Sequence, residues 1–483
     1  MMDGKAYIES LGKLNTKVYV LGEEVESLVD HPFLLPHINA AALTYELACQ
    51  PEYEALMTTM SHLTGQKINR FTSVHRSTDD LAKKVKMIRM LGQKTGSCFQ
   101  RCVGYDALNA TYSVTYEMDK KNGTDYHERF KKYLQYIQET DHMVCGAMTD
   151  AKGDRSKGPS EQSDPDLYLR IVEQNDRGIV ITGCKQHMTG VVNSHEMLLM
   201  PTRAMGPNDK DYAVVCAVPV DAPGLFHIFG RQTNDERKLS GCEMDVGNAA
   251  YGIVGGEAAS VFENVFVPWE RVFMCGEVEF SGMLVERFAT YHRQNYGACK
   301  GGVSDVVIGA SVAMAEYNGA LGASHIKDKL VEMTLLVETL FAGSLACSHE
   351  GYPTESGAYY ADPLLANITK QNATRMIYEI DRLAHDIAGG LIATLPSQKD
   401  LEHPVIGKYV EKYFKGSDTA TTEERFRMTR LLENMTGGTA LAEAMHGAGP
   451  PAAQRVALAR QGNFSYKKKL AEKLAGIKRD EKK

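Results

Sequence analysis

The stretch of sequence at residues 167–182, LYLRIVEQNDRGIVIT, decides the fold class of this chain. Two aliphatic runs, 167–172 and 179–182, flank the turn-forming residues QNDRG at 174–178, and this pattern predicts a β-hairpin. Further strand-like runs follow at 213–220, 225–229 and 259–267. Because these short strands succeed one another without intervening helices, they favour an antiparallel barrel or sandwich at about 145–275.

Helical patterns lie on both sides of this β region. Residues 79–115 carry apolar side chains at helical intervals and contain no proline, which predicts helix after the capping residues at 77–80. Gly92 and Gly96 leave open whether this is one continuous helix. Further helices are predicted at 305–347, 363–395 and 423–444. The chain is therefore predicted to have an α+β fold in three parts: an N-terminal helical domain at 1–144, a central antiparallel β-domain at 145–277, and a C-terminal helical bundle at 278–483.

The composition limits the classes of function. The 483 residues include 43% hydrophobic and 24% charged residues, which is typical of a globular protein. With 54 basic against 61 acidic residues, the net charge of −7 disfavours nucleic acid as a partner. No basic and apolar leader and no apolar run of ~18 residues is visible, so we expect a cytoplasmic protein without a membrane span. The basic end at 467–483 predicts a solvated terminal helix.

The 10 cysteines are better interpreted as free thiols or metal ligands than as disulfides, since the cytoplasm is reducing. Cys98 and Cys102 are four residues apart in the predicted helix 79–115, and His292 and Cys299 are seven apart, so each pair is expected on one helix face. Three thiolates and one imidazole could hold zinc or an iron–sulfur cluster, although each cysteine could equally be a buried packing residue. The remaining cysteines have no partner at a suggestive spacing: Cys49, Cys145, Cys184, Cys216, Cys242, Cys275 and Cys347.

The segment around the second pair, HRQNYGACK at 292–300, also favours chemistry. Tyr296 follows His292 by four residues and Lys300 follows Tyr296 by four, which predicts a base, a phenol and an ammonium along one helical stripe. A helix between subunits could carry the same residues.

Several segments resemble the acyl-CoA dehydrogenase superfamily: FENVFVP at 262–268, AMTD at 147–150 and DIAGG at 386–390. The resemblance narrows to the 4-hydroxybutyryl-CoA dehydratase/vinylacetyl-CoA Δ-isomerase family, and it extends over about 7–478. The segments that carry this narrower resemblance are QKTGSCFQRCVG at 93–104, GAMTDAKGDR at 146–155, NSHE at 193–196, HRQNYGACK at 292–300, TTEER at 421–425 and MHGAG at 445–449. It implies an acyl-CoA dehydrogenase-like fold, a CoA-thioester substrate, and a homotetramer built as a dimer of dimers.

The resemblance also implies two cofactors and the residues that hold them. A [4Fe–4S] cluster would be bound by Cys98, Cys102, Cys299 and His292. FAD would be contacted by Met148, Thr149, Asp150, Arg155, His187, Thr189, Gly389 and Gly390, the two glycines reaching the pyrophosphate of a neighbouring subunit. The implied catalytic residues are His292 as the base at C2, Glu257 and Glu443 as acid/base carboxylates, Tyr296 and Lys300 for substrate or the leaving hydroxyl, and Gln100 between the two cysteines.

The reaction implied is the dehydration of 4-hydroxybutyryl-CoA to crotonyl-CoA, together with isomerisation of vinylacetyl-CoA. No carbonyl directly activates the C3–H bond, so a base first removes the C2 proton, and one-electron transfer to FAD then acidifies C3–H. Iron would act as a Lewis acid on the departing hydroxyl, and the electron would return to the product. Two other interpretations stay open: a flavin-dependent aromatic monooxygenase of the same fold without iron, and an iron–sulfur redox protein. Without the resemblance, Glu257 and Glu443 would be read as solvated carboxylates.

Overall fold

The computed structural model describes residues 1–477. The first part of the chain contains six helices: α1 (Gly4–Leu11), α2 (Leu35–Ala48), α3 (Glu54–Met57), α4 (Thr78–Thr95), α5 (Cys102–Asn122) and α6 (Tyr126–Thr140). It also contains strands β1 (Val18–Val20), β2 (Glu23–Glu24), β3 (Thr58–Met60) and β4 (Lys67–Asn69), so residues 1–144 are not wholly helical.

Two helices occupy the helical range predicted at 79–115, and the break lies at Gly96, one of the two glycines at which continuity was open. Ser77 caps α4 by accepting a hydrogen bond from the backbone N–H of Asp80, as the sequence indicated. The helix then ends at Gly96, whose φ of 58° lies in the left-handed region that glycine adopts without strain. Cys98 consequently lies in the loop between α4 and α5, and Cys102 is the first residue of α5 rather than a residue one turn along the same helix.

The β region contains strands β5 (Val144–Ala147), β6 (Arg170–Gln174), β7 (Gly178–Thr189), β8 (Glu196–Leu199), β9 (Val214–Pro219), β10 (Leu225–Phe229), β11 (Glu257–Pro268) and β12 (Val272–Cys275). The predicted hairpin is present as β6 and β7, which pair antiparallel with Ile171 opposite Ile181. One sheet has the order β2-β1-β10-β11-β7-β6 and the other β12-β9-β8-β5. The wholly antiparallel arrangement is wrong, because β1 pairs with β10 and β5 with β8 in parallel. Both sheets contribute to one buried core.

The last part of the chain is mainly helical. Two short helices, α7 (Asp235–Lys238) and α8 (Glu243–Val246), lie between β10 and β11. Then follow α9 (Val278–Tyr317), α10 (Ser324–His349), β13 (Tyr352–Pro353), β14 (Tyr359–Tyr360), α11 (Pro363–Ala388), α12 (Leu391–Thr394), α13 (Gln398–Leu401), α14 (Gly407–Phe414), α15 (Thr422–Thr436), α16 (Gly438–His446), α17 (Pro451–Gln461) and α18 (Phe464–Leu474). The predicted helix 423–444 is two helices, α15 and α16, which meet at Gly437.

Two observations concern the predictions about solvent and membrane. The basic terminal helix is present as α18, whereas Lys482 and Lys483 lie outside the described residues. Helices α9 and α10 are long and apolar enough to cross a membrane by composition, a test that buried core helices also pass. In the most apolar window, 61% of α9 and 28% of α10 is buried within the chain. The absence of a membrane span therefore stays a prediction.

Candidate active site

A cavity lies where α9, α11, α15 and α16 meet the segment before β11. Its walls are mostly aliphatic, and its polar groups are Cys98, Cys299, Lys300, Ser304 and Asp381. Asp381 is buried, and its burial raises the pKa of the carboxyl to about 7 while Lys300 opposes the shift. An apolar cavity with a few convergent polar groups is the arrangement expected of a small-molecule site.

Glycines bring α4 and α9 close enough to form this cavity. A Cβ atom at Gly302 would stand 2.2 Å from the carbonyl oxygen of Arg89, and one at Gly92 would stand 3.0 Å from that of Cys299. Because neither position tolerates a side chain, the two helix backbones approach directly, and Cys299 of α9 is held beside the end of α4. The loop that carries Cys98 begins four residues later, at Gly96.

Cys98 and Cys299 line the cavity together, Cys102 follows Cys98 by four residues at the start of α5, and all three thiols are free. Burial raises the pKa of Cys98 and Cys102 well above the usual range, and the charge of Cys299 raises both further. Burial also raises the pKa of Cys299 to about 11, although Lys300 opposes this. Buried thiols that disfavour each other's thiolate form suit a site where bound iron supplies positive charge.

The donors are of the kind that an iron–sulfur cluster takes, since three thiols and one imidazole are available. Within residues 1–477, no three His, Cys, Asp or Glu side chains are close enough together to hold one metal ion. Gln100 also fits this setting, since its φ of 69° is unusual for a residue with a side chain and its buried Oε1 has no hydrogen-bond partner.

The fourth predicted ligand, His292, lies against α5 rather than in the solvent. Its Nδ1 is 2.9 Å from the Oδ2 of Asp106, and its ring stacks on Phe288 with the centroids 5.8 Å apart. Asp106 is one helical turn after Cys102, so this contact brings His292 to the part of α5 where Cys102 is located. Asp106 was not predicted from the sequence, although its four-residue spacing from Cys102 was a usable signal.

A proton-transfer cluster occupies the next turns of α9. Tyr296 donates hydrogen bonds to the carbonyl oxygen of Glu443 at 2.6 Å and to its Oε1 at 3.0 Å, and Lys300 forms an ion pair with the same carboxylate. Burial alone would raise the pKa of Glu443, but Lys300 and Tyr296 outweigh it and the pKa is lowered. The structure thus brings together three of the predicted catalytic residues.

Lys370 on α11 holds this cluster from behind and was not anticipated from the sequence. Its Nζ donates to the carbonyl oxygens of Ala444 at 2.9 Å and Met445 at 3.1 Å, and it lies 3.8 Å from the centre of the Tyr296 ring. A lysine at the end of α16 suits the partial negative charge of a helix C-terminus. Burial lowers the pKa of Lys370 to about 7.

Glu257, at the start of β11, forms a second acid/base group. The hydroxyl of Thr189 donates to its Oε1 at 2.7 Å. Burial raises the pKa of Glu257 to about 8, and the Thr189 hydrogen bond opposes that rise. A Cβ atom at Gly255 would stand 2.6 Å from Thr189 Cγ2 and 3.4 Å from the sulfur of Cys98, so the Thr189–Glu257 pair lies close to the thiol site.

The residues predicted to contact flavin have mixed environments. Met148 and Thr149 are half-buried, whereas Arg155, His187, Gly389 and Gly390 are exposed. The carboxylate of Asp150 is already occupied, since it pairs with Lys185 at 2.8 Å and accepts from the backbone N–H of Leu169 at 3.0 Å. The Nζ of Lys185 also donates to the carbonyl oxygens of Met148 and Met200, so this pair anchors the end of β5. Gly389 and Gly390 lie at the exposed end of α11 with open space around both Cα atoms.

Comparison with known proteins gives consistent matches along the whole chain. The family described as 4-hydroxyphenylacetate 3-hydroxylase matches through its N-terminal part at residues 3–274 and through its C-terminal part at residues 281–476. The chain is 58% identical to 4-hydroxybutyryl-CoA dehydratase/vinylacetyl-CoA-Δ-isomerase of Clostridium aminobutyricum, over 99% of this chain and 100% of that protein.

Solved structures agree with these matches. An oxygen-tolerant archaeal 4-hydroxybutyryl-CoA dehydratase from N. maritimus superposes with a TM-score of 0.97 at 51% identity, covering 100% of this chain and 96% of that one. A glutaryl-coenzyme A dehydrogenase complex superposes with a TM-score of 0.51 at 12% identity, covering 81% and 82%, which relates the fold alone to acyl-CoA dehydrogenases. The predicted family is confirmed: this chain belongs to the 4-hydroxybutyryl-CoA dehydratase/vinylacetyl-CoA Δ-isomerase family, within the wider 4-hydroxyphenylacetate 3-hydroxylase family.

Proposed function

We propose that this protein is a lyase that dehydrates 4-hydroxybutyryl-CoA to crotonyl-CoA and also isomerises vinylacetyl-CoA to crotonyl-CoA. The observation that carries the proposal is the position of Cys299 and Lys300 on α9, with free thiols on one side and the Glu443 carboxylate on the other. Such a site combines metal ligands with proton-transfer groups around one cavity, as this reaction requires.

Two carboxylates with opposite pKa shifts divide the proton transfers between them. Glu257 has a pKa raised to about 8 by burial, so it can hold a proton near neutral pH and accept one at slightly alkaline pH. The pKa of Glu443 is lowered, so this group is an anion. A pair of acids whose environments separate their pKa values in this way is typical of acid/base catalysis.

Tyr296 and Lys300 are the hydrogen-bond donors of the site. Both point at Glu443, and the Lys300 ammonium lies 5.5 Å from the centre of the Tyr296 ring. We assign these two donors to the substrate oxygens, either the thioester carbonyl or the departing hydroxyl, because negative charge develops there as the bonds break. Gln100, between Cys98 and Cys102 in the sequence, donates its Nε2 to the carbonyl oxygens of His37 and Cys98 and keeps a buried Oε1 without a partner, and we assign this oxygen to the same site.

The cluster ligands and the flavin contacts belong to the same proposal. A [4Fe–4S] cluster would be held by Cys98, Cys102, Cys299 and His292, and when bound it supplies a Lewis acid for the departing oxygen. FAD, which when bound supplies a reversible one-electron acceptor, would be contacted by Met148, Thr149, Asp150, Arg155, His187, Thr189, Gly389 and Gly390. His292 takes the C2 proton of the thioester with its imidazole, since a neutral imidazole serves both as a ligand and as a base.

We propose a cytoplasmic homotetramer arranged as a dimer of dimers, in which Gly389 and Gly390 approach the FAD of a neighbouring subunit. The apolar side chains on the outer face of α10 support an assembly. Val331 is 67% and Leu335 59% exposed in the single chain, which is the kind of surface that a further subunit covers. The division at 1–144, 145–277 and 278–483 remains part of this proposal.

The proposal is tested by purifying the protein without oxygen and measuring iron, sulfide and flavin content together with conversion of both CoA esters to crotonyl-CoA. We expect iron and sulfide in equal amounts, bound flavin, and turnover of both substrates. In the His292→Cys variant we expect the cluster to persist and turnover to be lost, because a thiolate neither leaves iron readily nor serves as the same base. Cys216→Ala, at a buried thiol of β9, is the control.

Two results would contradict the proposal. Iron-free protein that hydroxylates 4-hydroxyphenylacetate with reduced flavin and oxygen would identify an aromatic monooxygenase. Iron-containing protein that turns over neither CoA ester would indicate a redox protein. Retained turnover in His292→Cys would remove His292 from its two roles while leaving the overall reaction intact.

A further inference from the structure

The buried carboxylate of Asp106 connects the two helices that carry the cluster ligands. Its Oδ2 accepts hydrogen bonds from the Nδ1 of His292 at 2.9 Å and from the Nδ2 of Asn295 at 2.6 Å. Its Oδ1 accepts from the Nζ of Lys84 at 2.5 Å. Asp106 therefore joins α4, α5 and α9 at one point.

The chemistry of this contact fixes the tautomer of His292. The Nζ of Lys84 and the Nδ2 of Asn295 can only donate, so both oxygens of the Asp106 carboxyl group act as acceptors. The Nδ1 of His292, which lies 2.9 Å from Oδ2, is therefore the donor in this contact and carries the proton. In the neutral ring, Nε2 is then the unprotonated nitrogen with a free lone pair.

The surroundings also fix the plane of the ring. Phe288 stacks on the imidazole with an interplanar angle of 10°, and Asn295, one turn further along α9, donates to the same carboxylate oxygen as His292. Lys84 is held in its turn between the rings of Tyr105 and Tyr291, at 5.4 and 5.2 Å. The ring is thus held by one nitrogen and one face, and Nε2 is left as its reactive end.

We propose that Asp106, held by Lys84, is a positioning residue that presents the Nε2 of His292 to iron and keeps the ring aligned when it leaves iron to take up a proton. This inference rests on the proposed function, because it assumes the cluster. Partners of metal-bound histidines in this role affect metal affinity or activity by about 10- to 100-fold when they are replaced.

The test replaces Asp106 and follows the imidazole–iron bond by spectroscopy. In Asp106→Asn we expect the iron and sulfide content to stay close to that of the wild type, because the three thiolates remain. We expect the hyperfine coupling of the imidazole nitrogen in the reduced cluster, and the Mössbauer signal of the histidine-bound iron, to be weakened or heterogeneous. Turnover should fall about 10- to 100-fold.

Two further variants keep the test decisive. Glu117→Gln is the matched control, since Glu117 also links α5 to α9, through Arg287 at 2.5 Å, without contacting His292. Its spectra should match those of the wild type. If Asp106→Asn does not fold because Lys84 is left unpaired, the double variant Lys84→Met/Asp106→Asn removes both buried charges and should show the same loss of imidazole coupling.

The outcomes separate this inference from the proposed function. Wild-type coupling and turnover in the Asp106 variants would overturn the positioning role while leaving the cluster in place. Wild-type protein that binds no iron would overturn the proposed cluster, and the inference with it.

Discussion

The hydrogen bond between Thr189 and Glu257 makes a quantitative prediction about pH dependence. Replacing Thr189 by valine keeps the shape of the side chain and removes the hydroxyl that donates to Glu257 at 2.7 Å. This hydrogen bond opposes the effect of burial, which raises the pKa of Glu257 to about 8. Its loss should therefore raise the pKa further.

The size of the shift follows from the strength of the bond. A hydrogen bond to a charged group contributes ~1.5–3 kcal/mol. Because the Thr189 hydroxyl also bonds to the protonated acid, only about half of this energy favours the ionised form of Glu257 over the protonated form. Since ~1.36 kcal/mol corresponds to one pKa unit, the pKa should move from about 8 to roughly 9.

The measurement is kcat/KM for isomerisation of vinylacetyl-CoA from about pH 6 to pH 10, which reports groups of the free enzyme. If Glu257 accepts a proton, activity rises with pH through its pKa, and this rise should move by roughly one unit in Thr189→Val. Thr182→Val is the control, because the Thr182 hydroxyl on the same strand contacts Asn264 instead. If the rise in kcat/KM occurs at the same pH in Thr189→Val as in the wild type, the assignment of Glu257 is refuted. If kcat/KM instead falls with increasing pH near pH 8, Glu257 acts as a proton donor.

Three further predictions concern stability and flavin binding. Between pH 4.5 and about 8, the folded state keeps a proton on Glu257 that the unfolded state has lost. The free energy of unfolding should therefore fall as the pH rises, by up to ~1.4 kcal/mol per pH unit. Urea titrations of Glu257→Gln should show a smaller fall over this range. Lys370 should change the free energy of unfolding in the opposite direction, because its pKa of about 7 in the folded state lies below the ordinary 10.5. Stability should therefore rise with pH between these two values, and Lys370→Met should remove that rise. An unchanged pH dependence in the variant would contradict the burial of this charge. A Cβ atom at Gly390 would have no atom of the chain within 4 Å, and the same is true of Gly309. We therefore expect Gly390→Ala to bind FAD more weakly than the control Gly309→Ala, because the added methyl group would contact the cofactor. Equal affinity for FAD would exclude Gly390 from the FAD site.

The sequence predicts the order of the fold better than its internal breaks. The hairpin at 167–182 was predictable because its two strands and its turn are local, and turn residues act within four positions. The end of α4 was marked only by Gly96, which closes the helix with a left-handed φ of 58°, and the apolar periodicity that resumes in α5 obscured this signal. The parallel pairing of β1 with β10 joins residues about 200 positions apart through a three-residue strand, which leaves no pattern to detect.

The candidate site shows the same division between local and distant signals. The predicted stripe on α9 is partly reproduced, since Tyr296 and Lys300 both contact Glu443. His292, however, is turned towards Asp106 on α5, and helix spacing alone could not reveal this neighbour. The buried charges of Lys84 and Lys370 were also hidden, because a lysine in an amphipathic helix normally indicates solvent.

The geometry of α9 explains how one helix can serve both metal binding and proton transfer. At ~100° per residue, His292 and Cys299 lie within about 20° of each other around the helix, whereas Lys300 is displaced from His292 by about 80°. The first two side chains therefore share the face towards α5 and the cysteine loop, and Lys300 turns towards α16 and Glu443. The thiol site and the carboxylate are adjacent because Cys299 and Lys300 are consecutive residues of one rigid helix, about 100° apart around its axis.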